Sequence, residues 1–326
     1  MRPFWVGSAA ERIGRLHGGR VTPAGSAAAP TFLAEHPRLP RLYAVDERDP
    51  GRVAAFAVGP EGALTRTGVA EIGGAGPCHV TVHPDGGWLY AACYGDGVVS
   101  ALALDVHGDL TGDPVVLPHH GRGPHPDRQQ GPHAHSTWVS PGGGWLVAAD
   151  LGTDQLRAYR LEGGRPGGEP VLSDLPAGSG PRHAAVVGDR VHVACELSCE
   201  VVTLAWDEPS GRAEVLGAVT VVTLPPRTGT EHTLSHIEPL DARTLVVGVR
   251  GADSLAVVGL TDGVADRLLQ EVLTVAWPRH LTVVDGAVLV AGERADAIGV
   301  HPRGTRLGEL AETIATPAPM CLLPAR

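Results

Sequence analysis

The segment spanning residues 117–150 carries the densest run of chemically reactive side chains in this 326-residue chain. It begins as a Gly/Pro-rich loop with five histidines and two arginines, and it ends in the apolar run WLVAAD. Imidazole exchanges a proton near neutral pH, and the planar arginine side chain binds anions through paired hydrogen bonds. The segment therefore predicts the main wall of a site that binds an anion and moves a proton.

Reactive residues recur at two places in weaker copies of this segment along the chain. Equivalent positions of neighbouring repeats should meet around the axis of the fold. The first place, where the inner strand of a repeat begins, holds His79, His133, His135, Arg182, His183, His236, Arg279 and His280. The second, which follows the next strand, holds Asp46, Glu47, Arg48, Asp150, Glu196, Arg250, Glu293 and Arg294. We interpret these residues as one functional cluster; the alternative is that they hydrogen-bond turns and line a water-filled tunnel.

A metal site is an alternative interpretation of the histidine-rich loop. His133 and His135 would point the same way on a strand, and His119, His120 and His125 precede them. No carboxylate or cysteine accompanies these histidines at a spacing typical of zinc hydrolases. The sequence also lacks a serine-hydrolase elbow, a P-loop and a dinucleotide-binding glycine motif. We predict that the chain requires neither a metal nor another cofactor.

The elements that must position these residues are short strands in a repeat. Six similar segments begin near residues 41, 76, 131, 180, 234 and 278. Each contains an apolar run of five or six residues rich in Val, Ala and Leu, flanked by Gly or Asp turns, which is typical of strands. The average period is about 47 residues, within the roughly 40–50 residues of a propeller blade. The sequence therefore predicts an all-β chain.

A seventh repeat requires both ends of the chain. PAPMCLLPAR, from residue 317, resembles only an inner strand, whereas PFWVGSAAERIGRLHGGR at the other end could supply outer strands. Pairing the two would close a ring and remove exposed sheet edges. We predict a seven-bladed β-propeller over residues 1–326, a single domain whose N- and C-terminal strands share one blade.

Composition excludes several classes of function. The net charge is −10 and all 26 basic residues are arginine, which argues against a general nucleic-acid binder. The five cysteines fit free thiols in a reducing compartment. There is no apolar run long enough to cross a membrane and no signal-like apolar stretch at the start. We therefore expect a cytoplasmic protein without membrane contact, either a monomer or a weak homo-oligomer.

Three motifs make the chain resemble the seven-bladed propeller lactonase family, which includes 6-phosphogluconolactonases and carboxymuconate-cyclising enzymes. They are DRQQGPHAHS at residues 127–136, GSGPRHAAV at 178–186 followed by ACELSCEV at 194–201, and SHIEPLDARTLVVGVRGADSLAVV, which contains Arg250. The resemblance spans nearly the whole chain. It departs from the family at Cys195, where Asn often precedes the glutamate, and in the shortened turns VVGDRV and VVDGAV.

The resemblance implies catalytic roles for His135, Arg182, Glu196 and Arg250, which match positions proposed to act in the cyclising members. The repeat positions indicate the same four residues. We expect Glu196 or His135 to be the general base and the other to assist protonation of the leaving group. Arg182 and Arg250 would bind the oxyanion or a substrate carboxylate.

Further residues are predicted to bind the substrate, a small anionic lactone. Arg128 or Arg279 would bind a phosphate, and the other candidates are His133, His183, His280, His79 and His236. The leading hypothesis is hydrolysis of a sugar-acid lactone such as 6-phosphogluconolactone. A cycloisomerase that closes a muconate would use much the same residues, and a scaffold that binds a partner protein would need none of them.

Overall fold

Seven four-stranded antiparallel sheets form a ring of blades in the computed structural model, which describes residues 2–227 and 229–326. Blade seven combines β1 (Phe4–Ser8), β2 (Ile13–His17) and β3 (Arg20–Gly25) with an inner strand from the chain end, given below. Blade one contains β4 (Leu33–Glu35), β5 (Arg41–Asp46), β6 (Arg52–Val58) and β7 (Leu64–Glu71). Blade two contains β8 (Pro77–Val82), β9 (Trp88–Cys93), β10 (Val98–Leu104) and β11 (Leu110–Pro118). Blade three contains β12 (Ala134–Val139), β13 (Trp145–Asp150), β14 (Gln155–Glu162) and β15 (Arg165–Asp174).

The remaining blades follow in the same inner-to-outer order. Blade four contains β16 (Pro181–Val187), β17 (Arg190–Cys195), β18 (Glu200–Asp207) and β19 (Arg212–Thr220). Blade five contains β20 (Thr233–Asp241), β21 (Thr244–Arg250), β22 (Ser254–Thr261) and β23 (Val264–Leu273). Blade six contains β24 (Pro278–Val284), β25 (Ala287–Gly292), β26 (Ala297–Pro302) and β27 (Glu312–Ala315). β28 (Pro319–Pro324) is the inner strand of blade seven. Short 3₁₀ turns occur at Pro60–Gly62 and Glu293–Ala295.

The ring is closed by the two ends of the chain, as predicted. β1 pairs with β28 in antiparallel register, with Trp5 opposite Leu323 and Val6 opposite Leu322. This pairing gives blade seven its fourth strand and covers the inner edge of β1. The structure thus confirms the all-β, seven-bladed propeller.

Hydrophobic packing between neighbouring blades explains why the second strands are continuous apolar runs in the sequence. β13 (WLVAAD) is buried along its whole length, because both faces of the sheet contact other blades. The outermost strands, such as β19, alternate between exposed and half-buried residues. One buried cluster joins each adjacent pair of blades, and the cluster of Phe4, Val6 and Leu289 joins blade six to blade seven.

Candidate active site

A β-bulge near the start of five inner strands adds an extra side chain at the channel. The unpaired residue is Cys78 in blade two, His135 in blade three, Arg182 in blade four and Arg279 in blade six. Blade five has the equivalent register shift between Leu234 and Ile237. Bulges re-aim side chains and are common beside active sites. Here they let consecutive residues of one strand, such as Arg182 and His183, both contact groups on the channel axis.

The residue after each second strand is held at an equivalent point of the channel mouth. In six blades its backbone N–H donates to a carbonyl that precedes the inner strand: Ala9 to Ala318, Glu47 to Ala29, Tyr94 to Gly76, Leu151 to His133, Glu196 to Gly180 and Glu293 to Trp277. Together with the bulges, this anchoring surrounds a cavity of about 460 Å³. Its wall is formed by Glu47, Cys78, Tyr94, Arg128, His135, Glu196, Gly229, Thr230, Glu231, Thr233, Arg250, Trp277, Arg279 and Arg294.

Glu196 is the centre of the charged part of the cavity. Its Oε1 lies 2.6 Å from Nη2 of Arg128, and its Oε2 lies 3.0 Å from Nε of Arg182 and 2.7 Å from Nη2 of Arg250. Burial alone would raise the pKa of Glu196, but Arg250 and Arg182, with His135 and Arg128, hold that pKa well below its usual range. Three guanidinium groups against one carboxylate leave an excess of positive charge, which favours an anionic ligand.

Arg128 reaches Glu196 from the long loop between β11 and β12. Its neighbour Gln129 is fully buried and donates from Nε2 to the carbonyl of Leu151 (2.8 Å) and to Oδ1 of Asp154 (2.7 Å). Arg128 itself also donates to the hydroxyl of Tyr94 at 3.0 Å. The Arg-Gln pair therefore works as a unit in which the glutamine anchors the loop and the arginine reaches over the cavity.

Asp154 joins this loop to the segment that carries Arg182 and Glu196. Besides Gln129, its carboxylate accepts hydrogen bonds from the backbone N–H groups of Gly178 (2.7 Å) and Gly180 (2.8 Å). The Gly180 carbonyl in turn accepts from the N–H of Glu196 at 2.7 Å. Asp154 is buried and lies in the left-handed region with φ of 57°, which Asp and Asn adopt more readily than most residues.

Replacing Asp154 with Asn should lower kcat/KM roughly ten- to a hundredfold, because small displacements of positioning groups carry large kinetic costs. An amide nitrogen would face an N–H that now donates to an oxygen, so the unfolding free energy should fall by about 1–3 kcal/mol. Steady-state kinetics and urea unfolding measure both effects. Asp296→Asn is the matched control, since Asp296 has the same backbone conformation and accepts from the N–H of Ala318 in blade seven. Equal kinetic losses in both variants would contradict this positioning role.

His135 lines the cavity beside Glu196 and is nearly fully buried. Burial, reinforced by Arg182 and only partly opposed by Glu196, lowers the pKa of His135 well below its ordinary value. The imidazole is therefore neutral at neutral pH. Its Nδ1 lies 3.7 Å from Sγ of Cys78, and burial raises the pKa of that thiol, so Cys78 stays protonated.

His133 supports the site from behind the cavity wall. Its ring stacks on Tyr94 with centroids 4.5 Å apart, and its Nδ1 lies 2.6 Å from the Tyr94 carbonyl oxygen. Tyr94 in turn meets the edge of His135 at 5.5 Å. His133 thus fixes a tyrosine that contacts both Arg128 and His135.

Blade six supplies a second positive wall. The guanidinium carbon of Arg294 lies 3.4 Å from the centroid of the Trp277 ring, and Arg250 approaches the same ring at 5.6 Å. Stacking of this kind orients a guanidinium while leaving its N–H edges free. Nε of Arg279 is 3.9 Å from Oε2 of Glu293, a long contact that keeps Arg279 available to a ligand in the cavity.

Four predicted ligand-binding histidines form a separate cluster and do not line this cavity. His183 Nδ1 lies 2.7 Å from His236 Nδ1, and the rings of His236 and His280 stack with centroids 3.9 Å apart. Phe32 packs on His79 at 4.2 Å, and His135 meets His183 at 5.3 Å. We call His79, His183, His236 and His280 the histidine column; it continues from His135 along the inner strands. Binding of substrate by the column stays a prediction.

The structure therefore brings together most of the predicted site residues. His135, Glu196, Arg250, Arg128 and Arg279 line one cavity. Arg182, which is 2% exposed, contacts Glu196 from behind the wall.

Sequence reasoning missed several cavity residues. Tyr94 follows a second strand, as Glu196 does, so the repeat pattern could have revealed it. Cys78 precedes His79 as Arg182 precedes His183, so the same pattern could have revealed it, whereas Trp277 and the segment with Thr230, Glu231 and Thr233 carried no comparable signal.

Part of the histidine-rich loop is buried and has a structural role. His119 Nδ1 lies 2.7 Å from Oδ2 of Asp150, and both side chains are buried. Within residues 2–227 and 229–326, no group of three or more His, Cys, Asp or Glu side chains is arranged to hold a metal ion. In the same ranges no helix is long and apolar enough to span a membrane.

Two curated enzymes resemble this chain over most of their length. It is 29% identical over 304 residues to the 6-phosphogluconolactonase of Bacillus subtilis (strain 168), which covers 90% of this chain and 86% of that protein. It is 28% identical over 290 residues to the 6-phosphogluconolactonase of Pectobacterium carotovorum (strain PC1), with 86% of this chain and 82% of that protein covered.

Solved structures share the same architecture. A protein from Lactobacillus plantarum matches with a TM-score of 0.87 and 26% identity over 100% of this chain and 99% of that one. The periplasmic gluconolactonase PpgL of Pseudomonas aeruginosa matches with a TM-score of 0.84 and 24% identity over 98% of each chain, a likeness of fold. The family model described as "Lactonase, 7-bladed beta-propeller" matches residues 14–324, nearly the whole ring. The chain therefore belongs to the seven-bladed β-propeller lactonase family.

Proposed function

We propose that this protein hydrolyses an anionic sugar-acid lactone, with 6-phosphogluconolactone as its substrate. The observation that carries the proposal is the arrangement of Glu196, three arginines and a neutral His135 at one cavity. Lactone opening needs a base for water and cations for the developing oxyanion. The names of the two curated relatives support the same reaction and substrate.

His135 is better suited than Glu196 to be the general base. The carboxylate of Glu196 is already contacted by three guanidinium groups, which makes it a weak base. His135 is neutral, and in the part of the chain that the structure describes its Nε2 has no hydrogen-bond partner. When His135 takes a proton, the nearby negative charge of Glu196 stabilises the imidazolium, whereas burial, Arg182 and Arg279 oppose its protonation.

The reaction can be written from these groups. A water molecule gives one proton to His135, and its oxygen attacks the lactone carbonyl carbon. Arg250 and Arg128, which line the cavity, stabilise the resulting oxyanion with N–H donors not used by Glu196. The carbon–oxygen bond of the ring then breaks, the ring oxygen gains a proton, and the new carboxyl group releases its own. The net change is lactone plus water to hydroxycarboxylate plus one proton.

A phosphate on the substrate would bind at the blade-six wall. Arg279 and the Trp277-stacked Arg294 face the same cavity as His135. Arginine forms bidentate contacts with phosphate oxygens, so this wall suits the end of the substrate away from the lactone carbonyl. Cytoplasmic location, which would give access to a phosphorylated sugar acid, stays a prediction.

A panel of substrates tests the proposal. Proton release should be followed with freshly prepared 6-phosphogluconolactone, unphosphorylated gluconolactone and a carboxymuconate. We expect the protein to open the phosphorylated lactone well above the spontaneous rate, the plain lactone more slowly, and the muconate not at all. Consumption of the muconate alone would favour the cycloisomerase, and no acceleration with any compound would overturn the proposed function.

A further inference from the structure

The proposed mechanism does not yet assign the group that delivers a proton to the ring oxygen. A sugar-acid lactone releases an alkoxide when its ring opens, and such a poor leaving group requires a proton at the ring oxygen. Neutral His135 is the acceptor for the water proton, and Glu196 is ionised and surrounded by arginines. His135 becomes a proton donor once it holds the water proton, and an acid elsewhere on the cavity wall would serve the ring oxygen independently of it. This inference rests on the proposed function.

Glu47 occupies in blade one the position that Glu196 occupies in blade four. Both follow a second strand, and both donate their backbone N–H to the carbonyl before the inner strand, Glu47 to Ala29 at 3.3 Å and Glu196 to Gly180 at 2.7 Å. Blades one and four are three apart in a ring of seven, so the two glutamates face each other across the channel. Both line the same cavity. A lactone bound between them would have one carboxyl group on each side.

The surroundings of the two carboxyl groups differ. Burial raises the pKa of Glu47 above its ordinary value, and the neighbouring Glu293 adds to the rise. Arg279 and Arg182 oppose it without cancelling it, as does the nearby Thr31 hydroxyl. Cys78, His183 and His280 are further titratable groups around the small cavity that Glu47 lines. Within the described ranges, Oε2 of Glu47 and the Thr31 hydroxyl are both buried without a hydrogen bond. A buried carboxyl group with a raised pKa is suited to act as an acid, whereas Glu196, with a lowered pKa, stays ionised.

We infer that Glu47 is the general acid of the reaction and protonates the ring oxygen as the carbon–oxygen bond breaks. The proton of the Glu47 carboxyl group passes to the leaving oxygen, which becomes a hydroxyl, and Glu47 is left as a carboxylate. The proton that His135 took from water, or one from solvent, then restores Glu47. Over a full cycle neither residue changes, and the one proton released comes from the new carboxylic acid.

Tyr94 is the competing donor at the cavity. Its hydroxyl accepts a hydrogen bond from Arg128, and its ring lies against His135, on the side of the base. Glu47, in blade one, lies beside Arg279 and Cys78. Tyr94 is already bound by Arg128, whereas Oε2 of Glu47 has no hydrogen-bond partner among the described residues, which favours Glu47.

Variants at Glu47 test the inference with whichever aldonolactone the parent protein opens. We expect Glu47→Gln to lower kcat about 10²- to 10⁴-fold with little change in KM. The kcat/KM of the parent should fall on the alkaline side as Glu47 ionises, and this fall should be absent in Glu47→Gln after subtraction of spontaneous hydrolysis. Glu47→Asp keeps a carboxyl group at a greater distance, so it should be slower than the parent yet keep the alkaline fall. Asp46→Asn is the control, because Asp46 pairs with Arg48 away from the cavity.

The outcomes separate this inference from the function on which it depends. If the parent opens no lactone, the proposed function fails. If the parent is active but Glu47→Gln keeps its rate within about threefold, or keeps the alkaline fall, Glu47 is not the acid. If the alkaline fall in kcat/KM is absent from Tyr94→Phe and present in Glu47→Gln, the general acid is Tyr94. Thermal unfolding of each variant identifies any loss that comes from misfolding.

Discussion

Replacing Glu196 with glutamine is expected to lower kcat/KM about 10²- to 10⁴-fold, among the largest kinetic effects of any single substitution in this protein. The variant keeps the side-chain shape but removes the charge that three arginines share. His135 would then lose the carboxylate that stabilises its protonated form, and Arg128 and Arg250 would lose the anchor that orients them. Steady-state kinetics on the lactone measures the change.

The same substitution should also weaken the fold. Arg182 and Arg250 are almost fully buried, and breaking a buried ion pair by removing one partner costs about 3–5 kcal/mol. Urea unfolding of Glu196→Gln should show a loss of this order, whereas Glu214→Gln, on the exposed outer strand of the same blade, should be nearly neutral. Unchanged activity together with unchanged stability would contradict the central place given to Glu196 and favour a binding scaffold.

The second large effect is a loss of stability in acid caused by the histidine column. Burial, followed by the charges of His236 and Arg182, lowers the pKa of His79 to about 3, and burial and Arg182 lower that of His236 to about 3. His183 and His280 shift in the same direction. The folded protein therefore holds these imidazoles neutral, whereas the unfolded chain takes up protons near pH 6.5.

The direction in which the unfolding free energy changes with pH follows from proton uptake by the unfolded state. Stability from these histidines is complete above about pH 6.5 and falls as the pH decreases toward about 3. Each histidine contributes at most about 1.4 kcal/mol per pH unit in this window. Glu196 has a lowered pKa, so its contribution is lost only below the ordinary carboxyl range. Between about pH 6.5 and pH 5 the slope measured by urea unfolding therefore comes from the buried histidines, opposed by Glu47 and Glu238, whose pKa values are raised by burial.

A variant comparison checks the origin of the slope. His236→Gln should make the unfolding free energy less dependent on pH in that interval, even if the variant is less stable at neutral pH. Replacing the exposed His17 in the same way should leave the slope unchanged. A slope equal to the parent's in His236→Gln would show that the column does not titrate as described.

The fold could be predicted because the signal repeats. Runs such as WLYAAC and WLVAAD mark second strands that are buried on both faces, and their regular spacing indicates blades. The apolar segment at residues 317–326 has no partner in its own neighbourhood, so only the start of the chain could complete its blade. These features depend on local pattern and period, both of which are present in one sequence.

The site could be predicted only in part, because side-chain direction depends on register. Asp46, Glu47 and Arg48 are adjacent in sequence, yet Glu47 enters the cavity while Asp46 and Arg48 pair outside it. The bulges at His135 and Arg182 bring neighbouring residues to the channel, which strict alternation along a strand does not predict. The sequence therefore indicated which histidines reach the axis but not which of them line the cavity.

Trp277 illustrates a second reason why the site could be predicted only in part from the sequence. It precedes an inner strand and carries no motif, but its backbone N–H is held by Asp253 at 2.8 Å and its ring orients Arg294. The equivalent acid in blade three is Asp154, which binds a different loop. Such roles come from contacts between blades, and a repeat pattern within blades does not contain them.

The most direct test of the central claim is the rate of proton release from 6-phosphogluconolactone by the parent protein and by His135→Gln. The two should be compared at equal concentration near neutral pH, with the spontaneous rate subtracted and folding of both confirmed by thermal unfolding. We expect rapid opening by the parent and a loss of about 10²- to 10⁴-fold in the variant, whose cavity keeps its arginines. Equal rates for the two proteins, or no opening by the parent above the spontaneous rate, would contradict it.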